Sequence, residues 1–350
     1  MSVAAISDTF LREQLVNRRQ RLESALAWSS GEPRLAQLLA EVDAALAKME
    51  RGTFGICEVC NEPVEAQRLM ADPLVRYCLD HLTASERSAL ERDLEMAAEL
   101  QRGLLPRAEV RHDGWDIAYA YRPLGPVSGD YCDIVFEEDS KPGLFFFVGD
   151  VSGKGVAASM LMAQLHAIFR ALVARRLEVA QLVGQASRIF CESSLSPYFA
   201  TLVGGRAGAG GAVEISNAGH CPPLFLRGHA ATRVKPSGAP LGLCSVASES
   251  VSRIEPSGLP LGVSPQGAYD AERLSLDPGD VLVIYTDGLS EARNGEGEEY
   301  GDERVLSSVR GRAEGGARSV VDGCLQDLAR FLGGEGLGDD LTVMAIQRAN

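Results

Sequence analysis

Two aspartates stand just beyond apolar runs that read as buried strands, and this placement constrains the fold of the 350-residue chain more than any other feature. Asp150 lies two residues after the apolar run 144–148, and Asp287 lies two residues after the run 281–285. A carboxylate at the end of a buried strand is costly unless a positive charge meets it. We therefore expect these strand ends to meet at a bound cation.

Two further segments repeat the pattern of an aspartate in a short polar motif. Asp130 stands in the sequence Ser-Gly-Asp-Tyr-Cys-Asp, and Asp339 and Asp340 are adjacent. Hard oxygen ligands in this number suit magnesium or manganese rather than zinc or copper, and two such ions can hold a water against a phosphate. Each segment taken alone is more often a loop than a ligand site, because Asp-Gly and Gly-Asp are ordinary turn pairs.

Taken together, these segments resemble the PPM (protein phosphatase 2C-like) family of metal-dependent serine/threonine phosphatases, in the branch typified by SpoIIE and RsbU. Further matching motifs are Gln-Arg-Gly-Leu-Leu-Pro at 101–106, Asn-Ala-Gly-His at 217–220, Leu-Pro-Leu-Gly at 259–262 and Asp-Asp-Leu-Thr at 339–342. The resemblance implies an α/β fold, the PPM-type α-β-β-α sandwich, with two antiparallel sheets between helical layers.

The resemblance also implies roles for single residues. Asp150 would bridge two Mn²⁺ or Mg²⁺ ions, with the backbone carbonyl of Val151 as an adjacent ligand. The other direct or water-mediated ligands would be Asp130, Asp287 and one of Asp339 or Asp340, with Asp339 favoured because it opens its motif. A metal-activated water would attack phosphorus, without a covalent phosphoenzyme.

This chain departs from the eukaryotic pattern at the position two residues after the bridging aspartate, where Ser152 replaces a histidine. His220 is the candidate substitute as a general acid, and a structural turn histidine explains it equally well. Arg122 is open in the same way between a phosphate contact and a structural residue. Asp133 is expected to be peripheral.

A second set of metal-ligand residues lies nearer the N-terminus. Cys57-x2-Cys60 is followed after seventeen residues by Cys78-x2-His81, the spacing of a tetrahedral structural zinc site. The flanking sequence resembles the zinc finger of the DksA/TraR family. That family often has cysteine at the fourth position, and His81 departs from it while remaining a suitable zinc ligand.

Four units are expected: a helical hairpin (1–51), the zinc finger (52–82), a helical linker (83–106) and the phosphatase domain (107–350). Residues 10–28 and 35–49 both show helical apolar spacing and are separated by the breaker cluster 29–33. Thr83 and Glu86 form a capping box that opens the linker helix.

One face of the linker carries an apolar stripe, which either packs on the phosphatase domain or pairs with a second copy. Its members follow spacings of four and three: Leu90, Leu94, Ala97, Gln101 and Leu104. The position resembles the regulatory linker of the SpoIIE/RsbU branch, in which helix pairing transmits an input to the active site. We therefore favour a homodimer through this helix.

The motif Pro-Ser-Gly-x-Pro-Leu-Gly occurs twice, at 236–242 and 256–262. The second copy leads directly into the strand before Asp287, so the first is expected to belong to an inserted surface loop.

Composition excludes several classes of partner. The formal net charge of −14 comes without a basic stripe, which argues against nucleic acid. No apolar stretch is expected to approach the roughly 20 residues that span a bilayer, and no signal peptide is recognised. Five cysteines outside the finger show no disulfide spacing, so we expect a reducing, cytoplasmic location.

Two functions follow from the sequence. The first is a bacterial signalling phosphatase that hydrolyses phosphoserine or phosphothreonine on a regulatory protein, by resemblance a STAS-type anti-sigma-factor antagonist. The alternative is a zinc-dependent regulatory or scaffold protein that binds RNA polymerase or a signalling partner without essential catalysis. The complete set of aspartates favours the enzyme, and manganese-dependent hydrolysis of a simple phosphoester distinguishes the two.

Overall fold

The computed structural model describes residues 11–12, 14–23, 33–65, 68–69, 72–137, 143–193, 198–227, 244–246, 249–310 and 312–349. The chain divides into two compact units, Met1–Asp93 and Leu94–Asn350. The first copy of the duplicated motif and most of the predicted breaker cluster lie outside the described residues.

The first unit begins with an antiparallel helix pair. Helix α1 covers residues 11–23 apart from residue 13, and α2 covers Pro33–Glu50. Leu15 packs with Val42, and Arg19 forms an ion pair with Asp43 at 3.0 Å. The described part of the unit thus contains the predicted hairpin, whose apolar stripes face each other.

Helix α3, Ala84–Leu104, is the predicted linker helix, and the division between the two units falls within it. The backbone N–H of Thr83 donates to Glu86 Oε2 at 2.9 Å, and the backbone N–H of Glu86 donates to Thr83 Oγ1 at 3.2 Å. The predicted capping box is therefore confirmed.

The second unit contains two antiparallel sheets. Its strands are β1 Glu109–His112, β2 Trp115–Arg122, β3 Asp130–Phe136, β4 Gly143–Val151, β5 Ala200–Gly208, β6 Ala212–Ala218, β7 Leu224–Leu226, β8 Cys244–Val246, β9 Glu249–Arg253, β10 Glu272–Ser275, β11 Val281–Tyr285 and β12 Leu341–Arg348. The order is β1-β2-β12-β11-β7-β9-β8 in the seven-stranded sheet and β10-β6-β5-β4-β3 in the five-stranded sheet.

Helices cover the outer face of each sheet. They are α4 Gly155–Val173, α5 Val179–Ser193, α6 Asp287–Ser290, α7 Gly301–Val309 and α8 Ala317–Leu332. Helices α4 and α5 pack on the five-stranded sheet, and α7 and α8 pack on the seven-stranded sheet. The two sheets meet through a third apolar cluster that includes Trp115, Phe146 and Ile284. These four layers confirm the expected α-β-β-α sandwich.

Helix α4 corrects one expectation about membranes. Its 19 residues have a mean hydropathy of 1.5, long and apolar enough by those measures to cross a bilayer, so the expectation that no stretch approaches this length was wrong. Met162, Leu165 and Phe169 are buried against the five-stranded sheet. The apolar composition of α4 is accounted for by its place in the core.

Candidate metal centre and zinc site

The ends of four strands bring five aspartates together, here called the aspartate cluster: Asp130, Asp150, Asp287, Asp339 and Asp340. Asp130 begins β3 and lies opposite Asp150 in the register of β3 and β4. Asp287 begins α6 two residues after β11, and Asp339 and Asp340 directly precede β12, the neighbour of β11. The apolar strand predicted at 144–148 extends to Val151, so Asp150 lies inside β4 rather than beyond it.

Asp130 is held between the two sheets. Its side chain is 1% exposed, and its Oδ2 accepts hydrogen bonds from Thr342 Oγ1 at 2.6 Å and Thr286 Oγ1 at 3.1 Å. Sequence reasoning missed both threonines, of which Thr286 directly precedes Asp287 and Thr342 follows Asp340 by two residues. Their hydroxyls connect Asp130, in the five-stranded sheet, to β12 and to the residue after β11 in the seven-stranded sheet.

Asp340 has a structural role that distinguishes it from Asp339. Its Oδ1 accepts a hydrogen bond from the backbone N–H of Leu124 at 2.7 Å, and its Oδ2 accepts one from Gly129 at 2.9 Å. Asp339 Oδ2 instead lies 2.8 Å from Lys154 Nζ. Asp340 therefore holds the loop between β2 and β3, whereas Asp339 pairs with the exposed side chain of Lys154.

Glycine is required at residue 288, directly after Asp287. A Cβ atom there would lie 1.9 Å from the carbonyl oxygen of Asp340, so any side chain would displace the backbone. The Asp-Gly pair that first reads as an ordinary turn thus permits close approach of α6 and the start of β12.

The aspartate cluster carries excess negative charge. Burial and then the charges of Asp287, Asp339 and Asp340 raise the pKa of Asp150 to about 7, while Lys154 opposes this rise. Burial and the charge of Asp339 also raise the pKa of Asp287. Carboxyl groups that repel one another in this way are stabilised by bound cations, and hard oxygen ligands fit Mg²⁺ or Mn²⁺.

His220 and Ser152 both have structural partners. The backbone N–H of His220 donates to Asn217 Oδ1 at 2.8 Å, and its Nδ1 lies 2.8 Å from Thr201 Oγ1. Burial lowers the pKa of His220 to about 4, so its imidazole is neutral at ordinary pH. Ser152 Oγ accepts a hydrogen bond from the backbone N–H of Phe199 at 3.0 Å. This geometry favours the structural interpretation of His220 over the general acid.

Arg122 and Asp133, the other two residues considered for the site, differ in exposure. Arg122 is exposed at the end of β2, opposite Leu341 in register. Asp133 is buried and receives two hydrogen bonds from Arg170, at 2.8 and 2.6 Å. Asp133 is therefore neutralised by helix α4, whereas Arg122 is free to contact a ligand.

The linker stripe divides between two environments. Gln101 is 7% exposed and bonds to the backbone of Ser128, whereas Leu90 is 45% exposed. Two other apolar residues of α3, Met96 and Leu100, are 64% and 70% exposed. Gln101 therefore packs within its own chain, and an exposed apolar surface remains beside the predicted stripe.

The four finger residues converge in the first unit. The ligand atoms of Cys57, Cys60, Cys78 and His81 all lie within 4.8 Å of one another. Within the described ranges, no other group of three or more His, Cys, Asp or Glu side chains converges in this way.

Two thiols of the finger differ in pKa. Burial opposes ionisation of Cys57, but backbone hydrogen bonds at Cys60 and Cys78 lower its pKa to about 6. Burial and the neighbouring thiols raise the pKa of Cys78 to about 11. Zinc binding requires thiolates, and a bound cation would relieve the repulsion between them.

Layered sheets with aspartates at their strand ends define the PPM class of metal-dependent phosphatase folds. The SiaA-PP2C domain of Pseudomonas aeruginosa shares this fold with a TM-score of 0.60 and 17% identity, over 76% of this chain and 99% of that domain. The family model of stage II sporulation protein E (SpoIIE) matches residues 140–249 and 244–349. The chain belongs to the SpoIIE family.

The finger also matches a family model, the prokaryotic DksA/TraR C4-type zinc finger, over residues 52–80. The match ends one residue before His81, so it includes Cys57, Cys60 and Cys78 but not the fourth candidate ligand.

Two curated relatives cover most of this chain. Protein IcfG of Synechocystis sp. (strain ATCC 27184 / PCC 6803 / Kazusa) is 24% identical over 73% of this chain and 41% of its own length. Phosphoserine phosphatase RsbU of Bacillus subtilis (strain 168) is 22% identical over 74% of this chain and 71% of its own length. The chain therefore spans less than half of IcfG and most of RsbU.

Proposed function

We propose that this protein is a metal-dependent serine/threonine phosphatase of bacterial signalling. The observation that carries the proposal is the register of Asp130 opposite Asp150, with Asp287 and Asp339 at the ends of neighbouring strands. Two Mn²⁺ or Mg²⁺ ions bound there would supply Lewis acidity and an activated water. Membership of the SpoIIE family and similarity to RsbU support the same activity.

The ligand assignment takes the aspartates whose carboxylates are not held at both oxygens by backbone N–H groups. We assign Asp150 and the carbonyl of Val151, together with Asp130, Asp287 and Asp339, to the metals. Both oxygens of Asp340 accept backbone hydrogen bonds, so its function in this proposal is to hold the loop around Gly129.

The remaining residues of the site orient the substrate and the ligands. Arg122 is exposed and free to bind the phosphate. Ser152 fixes the segment after β4 to Phe199, and neutral His220 supports β5 through Thr201. His220 does not donate the proton to the departing seryl or threonyl oxygen in this proposal, and solvent does.

The proposed substrate is a phosphorylated STAS-type anti-sigma-factor antagonist in the cytoplasm, as the family resemblance implies. The proposed assembly is a homodimer through α3, since Leu90, Met96 and Leu100 expose apolar surface along that helix. The finger is proposed to bind one structural zinc.

The proposal is tested with the full chain in two steps. Hydrolysis of p-nitrophenyl phosphate is measured against Mn²⁺ concentration, and the phosphoproteome of a deletion strain is compared with that of its parent. We expect metal-dependent hydrolysis and an accumulated phosphoserine or phosphothreonine on one regulatory protein. Absence of hydrolysis at saturating Mn²⁺ and Mg²⁺ would leave the scaffold function as the better explanation.

A further inference from the structure

Lys154 is the basic residue that forms an ion pair with the aspartate cluster, in the part of the chain that the structure describes. Its Nζ lies 2.8 Å from Asp339 Oδ2 and donates a hydrogen bond of 3.1 Å to the carbonyl oxygen of Gly338. The residue directly precedes α4, so its backbone is fixed at the start of a long helix.

Asp339 differs from its neighbours in how its carboxylate is held. Asp130 receives two threonine hydroxyls and Asp340 receives two backbone N–H groups, all from ordered strands and loops. Asp339 Oδ1 accepts a hydrogen bond from the adjacent N–H of Asp340, at 2.9 Å, and its Oδ2 faces the lysine. The side chains of Lys154 and Asp339 are 58% and 44% exposed, so this pair can separate without disturbing the core.

Lys154 places a positive charge beside Asp339, with its Nζ 2.8 Å from Asp339 Oδ2. The lysine thus supplies positive charge where a divalent ion would otherwise supply it.

We propose that Lys154 is a built-in counter-ion for Asp339 and that a divalent ion must displace it to bind there. This inference rests on the proposed function, because it takes Asp339 as a metal ligand. The ion held by Asp339 should therefore bind more weakly than it would if Lys154 carried no charge. Because the pair is exposed, we expect a modest competition that salt screens.

The test is a titration of Mn²⁺ onto the zinc-loaded full chain, with free Mn²⁺ measured by electron paramagnetic resonance at low and at high salt. Wild type is compared with Lys154→Met, Lys154→Arg, Asp339→Asn and the double variant Lys154→Met/Asp339→Asn. Thermal unfolding of each variant without Mn²⁺ shows that all remain folded. Because the readout is bound metal, it is independent of turnover.

We expect the Mn²⁺ ion held by Asp339 to bind about two- to five-fold more tightly in Lys154→Met than in wild type at low salt. The difference should be smaller at high salt. Lys154→Arg should stay within about two-fold of wild type, because it retains the charge. In the Asp339→Asn background the Lys154→Met substitution should change affinity little, since the competed carboxylate is gone.

Two results would overturn the inference while leaving the proposed function intact. One is unchanged or weaker Mn²⁺ binding by Lys154→Met, and the other is an equal gain in the Asp339→Asn background. A wild-type chain that binds no Mn²⁺ or Mg²⁺ would overturn both the inference and the proposed metal centre.

Discussion

Gln101 satisfies both backbone groups of Ser128 with one side-chain amide. Its Nε2 donates to the carbonyl oxygen of Ser128 at 2.7 Å, and its Oε1 accepts from the N–H of Ser128 at 2.9 Å. Ser128 Oγ in turn accepts the backbone N–H of Asp130 at 3.0 Å. Gln101, in the last turn of α3, is therefore connected through Ser128 to Asp130 of the aspartate cluster.

Gln101→Met should destabilise the protein and weaken its metal binding together. The substitution keeps the shape of the side chain but leaves the buried N–H and C=O of Ser128 unpaired, which costs roughly 1–3 kcal/mol. Urea unfolding and Mn²⁺ titration measure the two effects. Gln37→Met on α2 is the matched control, because Gln37 is exposed and donates to the exposed Glu41. Equal behaviour of the two variants would contradict the coupling.

Asp150→Asn and Asp287→Asn should each lower phosphatase turnover by roughly 100-fold or more at saturating Mn²⁺, because each removes a proposed metal ligand. Both should stabilise the metal-free protein, since the carboxylates repel one another. Turnover assays check the expected loss of activity, and thermal unfolding in metal-free buffer checks the expected gain in stability. Asp270→Asn, at an exposed residue outside the cluster, is the control that should change neither property.

His220 should make the protein acid-labile. Its pKa of about 4 in the folded state lies below the ordinary value of 6.5, so the unfolded chain binds the extra proton between these pH values. Stability from His220 is therefore complete above pH 6.5 and is lost as pH falls towards 4, by at most roughly 3 kcal/mol.

Urea unfolding of wild type and His220→Asn from pH 4 to 8 tests this expectation. The slope of unfolding free energy against pH between 4 and 6.5 should be shallower in the variant. Above pH 7 the pH–rate profile of the phosphatase should keep its shape in His220→Asn. Loss of one limb of that profile would instead identify His220 as a general acid.

Cys57→Ser should release zinc and unfold the finger, because so short a segment has little core beyond Leu11, Val64 and Leu69 around the thiols. Zinc content and the thermal unfolding of the first unit measure this, and phosphoester hydrolysis by the second unit should persist. Cys191→Ser, outside the finger, is the control. His81→Cys should retain one zinc, since it restores the C4 ligand set.

Leu100→Lys should shift the proposed dimer towards monomer, because it places two like charges in an apolar contact between α3 helices. Glu95→Lys introduces the same side chain at an exposed position on the opposite face of α3 and should leave the dimer intact. Light scattering at micromolar concentration decides. A monomeric wild type, or two variants with the same mass, would contradict the linker dimer.

Local sequence patterns predicted much of the framework. The apolar run before Asp287 became β11, and Thr83 caps α3. These features depend on neighbouring residues, so their signals lie within a few positions of one another. The apolar length of α4 was missed in the sequence, and the core helix of a soluble fold can have the same composition as a membrane span.

Long-range hydrogen bonds explain what the sequence left open. The sequence favoured Asp339 over Asp340 only by its place in the motif, and the distant amides of Leu124 and Gly129 show the structural role of Asp340. His220 reads as a catalytic residue or a turn residue until its burial is known. Gln101 looked like a member of an apolar stripe, because its partner lies 27 positions away.

Strand β12 is an interior strand that follows every other described strand in the chain, between β2 and β11 in the seven-stranded sheet. During synthesis those two strands lack their common neighbour until the ribosome has translated residues 341–348. Asp339, Asp340 and Thr342 emerge with that neighbour, so the carboxylate of Asp130 lacks one of its hydroxyl donors until then. A nascent chain, or one cut by a protease ahead of residue 339, should therefore lack the proposed phosphatase activity.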